Sequence, residues 1–121
     1  ASHISVLFLN GRDKETNKSG KIEKLKINFT LSANKLASSG QKTVYLRIKR
    51  PDGYYISSGG TFAAGDSQLS YSDSRNITYE NQSLDVSIYH KVTEQLTVGK
   101  YGVSLYMDGK MIGESSFLIE K

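Results

Sequence analysis

The feature that most constrains this chain is strict two-residue alternation. Leu25, Ile27, Phe29 and Leu31 alternate with Lys24, Lys26, Asn28 and Thr30, and Val44, Leu46 and Ile48 alternate with Tyr45, Arg47 and Lys49. A strand turns successive side chains to opposite faces, so segments of this kind bury one face and wet the other. A helix needs its apolar residues three and four apart, and these segments do not have them. The same period recurs in Ile4, Val6 and Phe8, in Leu84, Val86 and Ile88, and in Tyr101, Val103, Leu105 and Met107. Ile77 and Tyr79 mark a short strand, and Ile112, Phe117 and Ile119 mark the last one.

Turn chemistry separates these segments. Asn10-Gly11 ends the first strand, residues 11–21 read as a polar loop, and residues 32–42 read as a connection. Arg50-Pro51-Asp52-Gly53 stops the third strand, because Pro presets φ and Gly accepts a left-handed conformation. Tyr54-Tyr55-Ile56 then starts the return strand of a hairpin. Asp108-Gly109 fits a two-residue type I′ hairpin turn, and Gly113 is a natural place for a bulge. Ser57 to Ser74 is the least determined stretch, with Phe62 and Leu69 as its apolar anchors. Seven to nine short strands spaced by turns indicate a sandwich or barrel. Leu96-x-x-Gly99-x-Tyr101-x-Val103 favours the sandwich, since a Tyr at that place in immunoglobulin-like domains bonds back to the preceding corner. The expectation is an all-β, immunoglobulin-like antiparallel β-sandwich of seven to nine strands, one domain over residues 1–121.

At 121 residues the chain can bury roughly two-thirds of its unfolded surface and needs no staple. It has no Cys, which excludes disulfides and thiolate metal sites. No run of about 18 apolar residues is present, so no segment reads as a transmembrane helix. Ala1-Ser2-His3 lacks the charged and apolar regions of a signal peptide, and the expectation is a mature or excised piece. Lys and Arg number 16 against 12 Asp and Glu. Residues 1–50 hold 11 basic and 3 acidic side chains, and residues 51–121 hold 5 and 9. A sandwich interleaves its two halves, so the bland consequence is a mixed, soluble surface; the sharper one is a patch for an anionic partner.

Catalytic chemistry finds little support. The two histidines are His3, at the terminus, and His90, at a strand end, and neither stands in a Ser and Asp arrangement. His90 reads as a solvated surface residue. Asp66 and Asp73 lack the tight oxygen spacing of a calcium loop. Gly59-Gly60-Thr61 lacks the trailing Gly-Lys-Ser/Thr and the helix of a phosphate loop. No catalytic residue, metal ligand or cofactor site is expected. The one candidate ligand patch is Arg47, Lys49, Arg50, Tyr54 and Tyr55, where cations interleave with rings as in single-strand nucleic-acid platforms. The competing reading is that Tyr, Lys and Arg are ordinary surface-strand residues. Glycan binding is the other option for this patch, though Trp is absent. Asn17-Lys18-Ser19, Asn28-Phe29-Thr30, Asn76-Ile77-Thr78 and Asn81-Gln82-Ser83 are sequons, acceptor sites only in a eukaryotic secreted protein.

Several motifs together resemble one family. They are Lys14-Glu15-Thr16-Asn17-Lys18, Phe29-Thr30-Leu31, Lys42 to Ile48 with Pro51-Asp52-Gly53, and Gly99-Lys100-Tyr101 through Asp108 to Gly113 and Ser116-Phe117. They resemble the C-terminal domain of Bacteroidetes coiled-coil proteins loosely labelled chromosome segregation or partition-like. The resemblance implies a globular head after an N-terminal membrane anchor and a long coiled coil, in the bacterial cell envelope. It brings no active site to these positions. The expectation is a non-enzymatic interaction or structural head that binds a protein partner or itself, touching membrane only through an upstream anchor. The alternative is a ligand-binding module for nucleic acid or glycan at the basic and tyrosine patch.

Overall fold

In a computed structural model, which describes residues 1–32, 39–93 and 96–120, the alternating segments are strands. They are β1 (Ser2–Leu9), β2 (Lys24–Leu31), β3 (Gly40–Lys49), β4 (Tyr55–Ile56) and β5 (Thr61–Ala64), then β6 (Ser67–Ser70), β7 (Asp73–Tyr79), β8 (Leu84–Lys91), β9 (Gly99–Met107) and β10 (Lys110–Ile119). The only helical element among the described residues is a 3-10 turn at Ser19–Lys21. The ten strands among the described residues exceed the seven to nine expected, because the stretch from Ser57 to Ser74 holds the extra hairpin β5–β6. Strand β3 also begins within the supposed connection at 32–42, since Gly40 to Thr43 pair with β7; residues 33–38 of that connection lie outside the described residues.

Two antiparallel sheets face each other. One has the order β1-β2-β8, and the other runs β10-β9-β3, with β3 pairing β7 along its first part and β4 at its end. The inward positions read from alternation form the core: Leu25, Ile27, Phe29 and Leu31 from β2 meet Val44, Leu46 and Ile48 from β3 and Tyr101, Val103 and Leu105 from β9. Burying one apolar face of each sheet is what drives the two layers together.

The turns take the conformations their residues demand. Asp108 and Gly109 have φ of 55° and 77°, positive at both central positions as a type I′ hairpin requires. At Arg50, the Gly53 N–H donates to the Arg50 carbonyl at 3.0 Å and Gly53 takes φ of 93°, a type I turn closed by a left-handed residue. Residues 10–14 repeat this design with Asp13 left-handed at φ 59°, and Asn10 Oδ1 accepts from the Arg12 N–H at 2.8 Å. The register of β9 and β10 shifts between Met111 and Gly113, which is the bulge expected at Gly113.

Tyr101, almost wholly buried, closes the corner before β9. Its hydroxyl donates to the Thr97 carbonyl at 2.9 Å and accepts from the Thr97 N–H at 2.9 Å. Its ring stacks on Phe117 at 5.0 Å. Removing the hydroxyl strands both backbone groups of Thr97, a loss of about 1–3 kcal/mol. Tyr101→Phe is therefore expected to lower the urea midpoint without changing the slope of the transition, as read by equilibrium unfolding.

Where β3 passes from β7 to β4, the ladder has a gap that Ser72 fills. Its side chain is buried, its hydroxyl accepts from the Ile48 N–H at 2.8 Å, and it donates to the Ile56 carbonyl at 2.6 Å. The β5–β6 hairpin lies over the outer face of β3 and β9. Phe62 stacks on Tyr45 at 4.4 Å and packs on Tyr106 at 5.2 Å, and Tyr71 lies 5.1 Å from Tyr45. These rings form a second apolar layer outside the main core.

Candidate functional site

The basic and tyrosine patch lies on the outer face of the larger sheet, at the end of β3 and along β4. Lys49 and Tyr55 are register partners, so the sequence places a cation and a ring side by side. The Arg47 guanidinium lies 3.8 Å over the centroid of the Tyr55 ring, with the Lys49 ammonium 6.0 Å from the same centroid. Arg47 is further held by its Nε–H, which donates to the Ser70 carbonyl at 2.8 Å. The cation–π contact and that hydrogen bond fasten Arg47 between β4 and β6. One face of the Tyr55 ring, which a nucleobase would need for stacking, is thus occupied by the protein's own guanidinium.

The other two residues of the patch point elsewhere. Arg50 pairs with Asp52 at 2.9 Å inside its own turn. Tyr54 is 74% exposed where that turn rejoins β4, its carbonyl accepting from the Arg50 N–H at 2.7 Å. The structure brings Arg47, Lys49 and Tyr55 together and leaves Arg50 and Tyr54 at the adjoining turn. Tyr45, which alternation puts on the same face of β3, is covered by Phe62.

A second surface feature escaped the sequence reading. On the outer face of the three-stranded sheet, Leu7, Lys26 and Tyr89 are register neighbours, as are Leu9, Lys24 and Lys91. Leu7, Leu9, Lys24, Lys26 and Tyr89, with Asp13 and Glu15 from the first loop, line a shallow bowl of about 400 Å³. The Lys26 and Lys24 ammoniums lie 5.6 and 5.9 Å from the Tyr89 centroid. Lys24 also donates to Asp13 Oδ1 at 2.8 Å, and this hydrogen bond and charge raise the Lys24 ammonium above its ordinary pKa. The lysines were legible as outward residues of β2. Their convergence on Tyr89 depends on β8 being the neighbour of β2, a pairing across about half of the chain that local pattern does not specify.

His90 is not the solvated residue expected. It is 8% exposed, and its Nδ1 lies 3.3 Å from Asp73 Oδ2. The pair spans the seam between β8 and β7, which belong to different sheets, and the Arg75 guanidinium donates to the Ser87 carbonyl along the same seam. This carboxylate is the natural acceptor for a buried imidazole, so the pair closes one side of the sandwich. His3 contacts Ser2 Oγ at the surface. No cluster of three or more metal-ligating side chains forms among the described residues.

An all-β chain of two facing antiparallel sheets, with charged and aromatic side chains on their outer faces, belongs to the β-sandwich class. Its residues 3–120 match the model of a domain of unknown function, DUF8428, and the chain belongs to that family. No curated protein and no solved structure matches it.

Proposed function

We propose that this is a non-enzymatic protein-interaction module of immunoglobulin-like type, which accepts a strand along the open edge of β10. Support for the immunoglobulin-like reading comes from the strand orders β1-β2-β8 and β10-β9-β3-β7 together with the Tyr101 corner. The observation that carries the function is the edge itself. From Glu114 to Ile119, β10 pairs with β9 on one side, and on the other its backbone has no hydrogen-bond partner among the described residues. Ser115-Ser116-Phe117-Leu118-Ile119 carries no charge and no Pro, the devices that ordinarily blunt an edge. Such an edge binds by adding a strand to the sheet.

The simplest occupant is β10 of a second copy, which would join two larger sheets across a two-fold axis. Solution mass should then rise from 13.4 kDa to twice that value with concentration. Ser116→Lys with Leu118→Lys places two charges on the edge and should return the chain to monomer. A chain that stays monomeric at every concentration, and retains no protein when the longer gene product is the bait, overturns the reading. In this proposal the module is the head of an anchored coiled-coil protein of the bacterial envelope, as its turn motifs resemble. The full-length gene product tests that context: heptads and a membrane helix upstream support it, and a catalytic domain upstream replaces it with an accessory module.

A further inference from the structure

Among the described residues, the surplus of positive charge and most of the exposed large apolar side chains gather at the same end of the sandwich. Strand pairing defines this end: Leu9, Lys24 and Lys91 are aligned on the smaller sheet, and Gly99 and Ile119 on the larger. The Val92 N–H donates to the Glu23 carbonyl at 2.9 Å, tying the end of β8 to the first loop. A Cβ on Gly99 would fall 2.7 Å from Pro51, so the turn at 50–53 packs here too.

Residues 10–24 bring Arg12, Lys14, Lys18, Lys21 and Lys24 to this end, against Asp13, Glu15 and Glu23. Lys91, Lys49, Arg50 and Lys100 add to them, against Asp52 and Glu120. Nine cations against five carboxylates is a surplus of four at this end, whereas the other described residues carry five cations against six carboxylates. The uneven charge of the sequence therefore has a location in space. Six large apolar or aromatic side chains are exposed among the described residues, and five of them, Tyr54, Tyr55, Tyr89, Val98 and Leu118, lie toward this end. Met111 lies at the other.

We propose that this end docks on an anionic bilayer surface. Tyr54, Val98 and Leu118 would sit at headgroup level, with the lysines of the first loop around them. Aromatic residues with a polar tip favour that depth, and lysine stems lie along apolar surface while their ammoniums reach phosphate. Each Lys near an anionic bilayer strengthens partition by about five-fold. Exposed aliphatic side chains distinguish a bilayer from a nucleic acid here. Val98 and Leu118 have nothing to gain from a phosphate backbone, and a single-strand site needs a groove lined by several free rings. The docking end is built of turns and strand ends, and it shares only Leu118 with the hydrogen-bonding edge of β10.

Vesicle co-sedimentation of the 1–121 chain tests this. The chain is expected to pellet with phosphatidylcholine vesicles containing phosphatidylglycerol, and to be released when salt rises from about 0.1 M to 1 M, which shortens the Debye length from about 10 Å to about 3 Å. Lys14→Gln/Lys18→Gln/Lys21→Gln should weaken partition about 100-fold. Tyr54→Ser/Val98→Ser should weaken it at both salt levels, and Lys110→Gln/Met111→Ser at the opposite end should leave it unchanged. All of these side chains are exposed, so each variant keeps the core. Absence of pelleting at low salt overturns the proposal. So does equal pelleting with phosphatidylcholine alone, indifference to both end variants, or capture of duplex DNA by a chain that ignores vesicles.

Discussion

Phe62→Ala should release the β5–β6 hairpin while the two main sheets stay folded. Phe62 is the hairpin's one fully seated apolar side chain, stacked on Tyr45 and packed on Tyr106 and Tyr71. Among the described residues the hairpin pairs with no strand other than its own partner. An isolated two-stranded hairpin is marginal in water, so its order depends on that aromatic layer. Deleting a buried Phe ring costs about 3–5 kcal/mol, more than such a hairpin can lose. Amide exchange should show residues 61–70 losing protection while β2 and β9 keep theirs. Retained protection throughout 61–70 would mean that the Arg47 to Ser70 hydrogen bond, not the ring, holds the hairpin down.

Ser72→Ala should destabilise the whole sandwich despite removing a single oxygen. The Ser72 hydroxyl bridges a donor on β3 and an acceptor on β4, standing between the register partners Ile48 and Ile56. Alanine leaves the Ile48 N–H and the Ile56 carbonyl unpaired beside side chains that are closed to water. Each stranded group costs about 1–3 kcal/mol, and the two act together on the central strand. Ser58→Ala is the control, because Ser58 also bonds to a backbone carbonyl but does so at the surface, where water replaces it. Denaturant midpoints of the two variants should differ widely; equal midpoints would mean that water enters at Ser72.

Alternation made the frame of this protein readable. The inward and outward positions of β2, β3, β8 and β9 follow the period of two, and the Asp108-Gly109 turn, the Gly53 turn and the bulge at Gly113 each sit where their backbone chemistry puts them. Two kinds of information were not local. The first is the β5–β6 hairpin. Its signal was present in Gly65-Asp66, a two-residue turn between Phe62 and Leu69, and Gly65 indeed takes φ of 61°. Abundant Ser and Gly around it, and short strands with a single deep anchor, disguised it as a loop. The second is what converges on a surface. Arg47 and Tyr55 were legible as neighbours through the hairpin, but whether the guanidinium stands free or lies on the ring depends on the Ser70 carbonyl, 23 residues away. His90 was misread for the same reason: its partner, Asp73, arrives from the opposite sheet. The lysines around Tyr89 required knowing that β2 borders β8.

Those distant neighbours also set the order of events during folding. Strand β2 stays unpaired on one side until Leu84 to Lys91 is available, and β3 waits for Val103 to Leu105. Loop closures of that length must be completed before the core returns any free energy, which places such topologies among the slower folders, in milliseconds to seconds. A ribosome making this chain would have released most of it before either sheet could close. Until then the apolar rows of β2 and β3 face the cell without cover, which makes the span between their synthesis and that of β9 the interval in which a holdase chaperone matters most.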